Sequence, residues 1–177
     1  MADSTPLIAI DGGGAKEEKI GHKICGCCCD SRRAVIVLNV INIILTVIGM
    51  SIVVFANNSP DLDKALVEQG ISVEDWEKSY KIFMAVYSID IVILTIVALG
   101  ANLYNICSVG LGLIWALAYM TFSIWANGSN STAVTIAGAA ISFLIKLYIY
   151  GVFISEVKDG IMTPETYPRE EFSCCCA

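Results

Sequence analysis

Apolar residues in this chain gather into long stretches, with nearly all charged residues confined to the segments between them. Ala34 to Ala56 holds no charged residue, and from Ile82 to Ser155 the charged residues are Asp90 and Lys146 alone. A helix crossing the hydrocarbon of a bilayer needs about 20 apolar residues, because each adds ~1.5 Å against a core ~30 Å thick. Four stretches meet that length: 34–56, 82–101, 108–126 and 133–155. Turn chemistry separates the last three, at Asn102–Asn105 and at Asn127–Ser131. The pattern predicts an all-α membrane protein, a four-helix transmembrane bundle spanning 34–155, with tails at 1–33 and 156–177.

The segment between the first two spans carries helix punctuation. Ser59 can cap a short helix that opens with Pro60, places Asp61 and Asp63 in its first turn, and ends before Gly70. Leu62, Ala65, Leu66 and Gln69 then share a face that can rest on the bundle or the headgroups. Ser72 and Asp75 form a second capping pattern, so the next helix starts near Val73 and runs into the bilayer unbroken. Trp76, Tyr80 and Phe83, with Tyr119, Phe122 and Trp125, form an aromatic belt at one interface. Tyr104, Tyr148, Tyr150 and Phe153 form a belt at the other.

An even number of spans puts both termini on one side, and basic residues say which. Lys16, Lys19, Lys23, Arg32, Arg33, Lys158 and Arg169 flank the spans on the terminal side, against Lys64, Lys78 and Lys81 opposite. Both termini are therefore expected in the cytosol, with the short helix in an outer loop. Met1 to Lys19 lacks a basic region followed by an apolar run and reads as a polar tail, not a signal peptide. Gly12–Gly14 reads as a flexible linker. The sequons at Asn57, Asn127 and Asn130 abut the membrane, where glycosylation is disfavoured.

Composition agrees. Hydrophobic residues make up 56% of the 177 positions and charged ones 16%, against about 25% charged in a soluble domain. A cytosolic enzyme is excluded on that ground. A net charge of −6 leaves no basic face for nucleic acid. The lone histidine, His22, lies in a tail, and no nucleophile has a base nearby, so no catalytic residue, cofactor or metal is expected.

All eight cysteines fall on the expected cytosolic side or its membrane edge. Outer-loop disulfides like those of tetraspanins, claudins and connexins are therefore absent, and the chain resembles those families in span count only. Cys25, Cys27, Cys28 and Cys29 precede the first span, and Cys174, Cys175 and Cys176 close the chain. Juxtamembrane thiols in such clusters are candidates for reversible S-acylation, which pins a tail to the inner leaflet. A zinc site from His22, Cys25 and Cys27 is the weaker reading, since its ligands crowd together instead of forming separated pairs.

Asp90 and Lys146 are the most informative positions. Each costs about 2.5 to 3.5 kcal/mol at a helix centre on an insertion scale, so both should face protein or water. Opposite charges at similar depth predict a salt bridge between the second and fourth spans. Asn39 and Asn42 extend it into a polar network that Ser88, Tyr119 and Ser142 can join. The network reads as a lock on helix register, or alternatively as the path of a small transporter or proton channel. Small residues at Ala137–Ala140 on the fourth span, and Gly112 and Ala116 on the third, offer faces for close packing or self-association. The expected function is that of a non-enzymatic membrane organiser with the lipid bilayer, and further copies of itself, as partners.

Overall fold

The computed structural model describes residues 23–24, 29–68, 70–127 and 133–165. Two short strands, β1 (Lys23–Ile24) and β2 (Cys29–Asp30), pair antiparallel. Five helices follow: α1 (Ser31–Asn57), α2 (Leu62–Glu68), α3 (Val73–Asn102), α4 (Ile106–Asn127) and α5 (Ala133–Lys158). Of these, α1, α3, α4 and α5 are each long and apolar enough to cross a membrane, which marks the chain as an integral membrane protein.

The helix ends follow from side-chain capping. Asp30 accepts from the Arg33 N–H at 2.7 Å, so α1 begins at Ser31, ahead of its apolar stretch. Ser72 accepts from the Asp75 N–H at 3.0 Å, and Glu74 and Asp75 sit in the positive first turn of α3. Asn105 caps α4 by accepting from Cys107 N–H at 2.9 Å. Pro60 and Asp61 form a turn ahead of α2, which starts at Leu62 instead of Pro60. Gly70 closes α2 with φ +69°, a left-handed conformation that places Ile71 N–H 2.9 Å from Leu66 O. Leu66 is buried, and α2 lies against α3.

The four long helices form a square. α1 packs on α3 and α5, and α4 packs on the same two, so α1/α4 and α3/α5 occupy the diagonals. Contacts at the ends fix an up-down-up-down course. The Trp76 indole donates to Asn57 Oδ1 at 3.1 Å, and Phe83 meets Phe122 edge-on at 6.0 Å. At the opposite end, Arg32 reaches Tyr104 and Ser31 reaches Glu156.

Burial is concentrated at that second end, where Val35, Val97, Ala101, Val109, Tyr150, Phe153 and Met162 form one cluster. Tyr150 and Phe153 thus belong to the core and not to an interfacial belt; an aromatic ring near a span end serves either purpose, and here both face inward. Gly112 permits a close approach of α3, α4 and α5. A Cβ there would lie 2.6 Å from Val97 Cγ2 and 3.0 Å from Tyr150. After α5 the chain reverses at Gly160 (φ +66°), and Ile161 and Met162 N–H both bond to Glu156 O, at 2.9 and 3.1 Å. The reversal carries the Met162 side chain into the core.

The outer surface is the inverse of a soluble protein's. Ile44, Leu45, Ile52, Phe55, Ile114 and Leu144 are all more than half exposed. Such an apolar girdle suits hydrocarbon and would aggregate in water.

Candidate functional site

A carboxylate inside a bundle of low dielectric needs donors, because desolvating it unpaired costs far more than any packing gain. Asp90, buried at mid-length of α3, has one for each oxygen. Thr46 on α1 donates to Oδ2 at 2.8 Å, and the Trp115 indole on α4 donates to Oδ1 at 2.7 Å. One side chain therefore ties three helices together at a single level.

The direct salt bridge expected between Asp90 and Lys146 is not formed. Lys146 is buried, at 8% exposure, yet no carboxylate among the described residues stands within 4.0 Å of its ammonium. The reason is topological. α3 and α5 face each other across the diagonal, so Asp90 takes its hydrogen bonds from α1 and α4, the helices that flank it. The carboxylate stays within Coulombic reach of Lys146 and of Tyr119 and Tyr150. Lys146 instead borders a cleft of about 60 Å³ between α4 and α5, together with Tyr119, Ser123 and Ser142.

Of the expected network, Asn39 is central and Asn42 is peripheral. Asn39 is fully buried. It donates to Val35 O at 2.7 Å and accepts from the Tyr150 hydroxyl at 2.7 Å, which joins α1 to α5. Asn42 is half-buried and donates to Leu38 O one turn back. Ser88 is exposed and bonds back to Met84 O in the same way. Both satisfy themselves within their own helices.

A second polar cluster, which the hydropathy pattern did not single out, closes the end of the bundle where α1 begins. Ser31 and Glu156, both buried, share a hydrogen bond, and Met162 Sδ lies 3.5 Å from the same Ser31 hydroxyl. Arg32 is 4% exposed; it donates to the Tyr104 hydroxyl at 2.8 Å, and its guanidinium lies 5.4 Å from the Tyr104 ring centroid. Tyr104 reaches it with a positive φ of 56°. Among the described residues Arg32 Nε has no hydrogen-bond partner. Placed one residue outside the last apolar stretch, Glu156 reads as a tail residue, and Arg32 reads as a topological charge. Charged residues bordering the first and last apolar stretches, Arg32 and Glu156, are the signal that would have found them.

The cysteines expected to be acylated at 25, 27, 28, 174, 175 and 176 lie outside the described residues, as does His22. Cys29 belongs to β2. Cys107, in the first turn of α4, is an exposed free thiol. Among the described residues no three histidine, cysteine or acidic side chains gather in a metal-binding group.

No protein-family model, no curated protein and no solved structure matches the chain.

Proposed function

We propose that this chain is a non-enzymatic four-span membrane organiser, with a fixed bundle and with its lipid-facing surface and cytosolic tails as the working parts. The observation that carries this reading is the satisfaction of Asp90. Both of its oxygens hold donors from flanking helices, which suits a register lock better than a group that exchanges protons with solvent. The small-residue faces divide in a way that fits. Gly112 and Ala116 are consumed inside the bundle, whereas nothing lies within 4 Å of a Cβ placed at Gly138. The Gly138 face of α5 is thereby left for a second copy.

In this reading the basic residues flanking the spans hold both termini in the cytosol, and S-acylation at Cys25, Cys27–Cys29 and Cys174–Cys176 sorts the assembled protein laterally. The test is a paired measurement on protein reconstituted in liposomes. Native mass spectrometry should find oligomers that are lost in Gly138→Leu, and a pH-sensitive dye inside the vesicles should record no proton flux above that of empty vesicles. Hydroxylamine-sensitive mass labelling from a eukaryotic host should mark both cysteine clusters.

One observation favours a second reading, that of a small transporter or proton channel: among the described residues the Lys146 ammonium lacks a direct partner, and it borders a cleft. Flux that disappears in Asp90→Asn would establish it in place of the organiser.

A further inference from the structure

Lys146 is a buried cation in a membrane-spanning helix, roughly 18 Å from Lys158 along α5 at ~1.5 Å per residue. A cation at that depth needs a counter-charge close by. The nearest candidate, Asp90, has both oxygens engaged by Thr46 and Trp115 on helices to either side. Among the described residues the ammonium has neither a hydrogen bond nor an ion pair, and the Tyr119 hydroxyl across the cleft has no hydrogen bond either. The ammonium and the phenol thus line one small space whose other polar groups are the neutral hydroxyls of Ser123 and Ser142, with no anionic acceptor among its walls.

The cleft's walls say how an occupant reaches it. Ala116, Tyr119 and Ser123 on α4 face Ala139, Ser142 and Lys146 on α5, each set spaced by three and four residues along its helix. The alanines keep the two helices from filling the gap. Ser142 is exposed at the mouth, flanked on its own helix by Ile141 and Ile145, which are 57% and 46% exposed. The mouth therefore opens on the apolar girdle, toward hydrocarbon. An occupant arriving that way must be soluble in the bilayer, and its polar end must accept from an ammonium and a hydroxyl. A carboxylate has lone pairs for both and adds the contact ion pair that Asp90, within Coulombic reach only, does not form; an alcohol or ester accepts without one. The volume of about 60 Å³ suits a carboxylate and not a bulky headgroup.

We propose that the α4–α5 cleft is a binding site for a single-chain carboxylic acid, with Lys146 and Tyr119 holding its carboxylate and its tail lying along the cleft toward Ser123 and Ala139. This site is independent of the organiser reading, since it concerns a bilayer-soluble ligand and neither the tails nor the Gly138 face.

The experiment is photolabelling of the full chain in nanodiscs with a palmitic acid that bears a diazirine on its tail, followed by peptide mapping. Label is expected on the α4 and α5 segments bordering the cleft. Unlabelled palmitic acid should displace it, and its methyl ester should not; this comparison uses the wild-type protein and does not depend on any variant folding. Lys146→Met should lower cleft labelling at least tenfold, and Lys146→Arg should retain most of it. Label spread evenly over the lipid-facing helices, equal displacement by acid and ester, or unchanged labelling in a folded Lys146→Met protein would each overturn the proposal. Displacement by phosphatidic acid as effective as by palmitic acid would overturn the carboxylate assignment in favour of a general anionic headgroup.

Discussion

The Trp115 indole N–H donates to Asp90 Oδ1 at 2.7 Å, while Thr46 holds the other oxygen from the opposite side. Neither donor is charged, so the carboxylate is stabilised by dipoles from α1 and α4 instead of by a contact ion pair. Rotating any of the three helices by one residue would break a bond for which hydrocarbon provides no substitute. The arrangement therefore fixes register.

Replacing the carboxylate tests that role. Asp90→Asn keeps one acceptor but turns an amide NH₂ toward one of the two donors. A loss of about 1–3 kcal/mol is expected, from one bond broken and one donor left buried. Thr46→Val should cost less, about 1 kcal/mol, because interhelical hydrogen bonds in membranes are individually modest. Thermal or denaturant unfolding in a defined detergent measures both.

The second tie across the bundle gives a separate expectation. Tyr150→Phe keeps the ring in the core and removes only the hydroxyl, leaving Asn39 Oδ1 without its donor. The expected loss is again about 1 kcal/mol. Asn39→Leu removes the acceptor and should strand the Tyr150 hydroxyl, with a similar cost. The double variant Tyr150→Phe/Asn39→Leu should lose less than the sum, since no orphan remains.

Two glycines separate internal packing from an open face. Gly112→Ala drives a methyl into Val97 and Tyr150, and overpacking of this kind costs about 1–3 kcal/mol. Gly138→Ala meets nothing and should be neutral, or stabilising by up to about 1 kcal/mol through helix propensity. Stability curves for the two variants should separate cleanly.

Met162 anchors the reversal after α5. Met162→Ala should cost about 2 kcal/mol or more by emptying a core position, and it should free the segment that follows Lys158. Limited proteolysis there is expected to quicken, with cleavage inside the long helices unchanged.

Much of this architecture is legible in the chain itself. Length and apolarity locate the four long helices, Ser72 and Gly70 punctuate the connection between the first two, and a charge inside an apolar stretch is enough to single out Asp90 and Lys146. Partnership is where one-dimensional reasoning stops. Depth along a helix can be counted from the sequence, but the diagonal placement of α3 and α5 arises from packing, and it gives Asp90 to Thr46 and Trp115. Thr46 looks like any threonine that can bond back to its own helix, and Trp115 like an apolar filler. Tyr150 and Phe153 fit an interfacial belt in the sequence for a related reason, since residue type near a span end does not tell inward from outward. The Ser31–Glu156 bond escaped because Glu156 stands outside the apolar stretch, and only the return of the chain at Gly160 encloses it.

The most direct test is a pair of double-mutant cycles sharing Asp90→Asn, one with Trp115→Phe and one with Lys146→Met, read by unfolding free energy in the same detergent. A hydrogen-bonded lock predicts coupling of about 1 kcal/mol between Asp90 and Trp115, exceeding the coupling between Asp90 and Lys146. Additive losses for Asp90 and Trp115, with strong recovery in the Asp90→Asn/Lys146→Met protein, would contradict it and restore the direct ion pair as the organising contact.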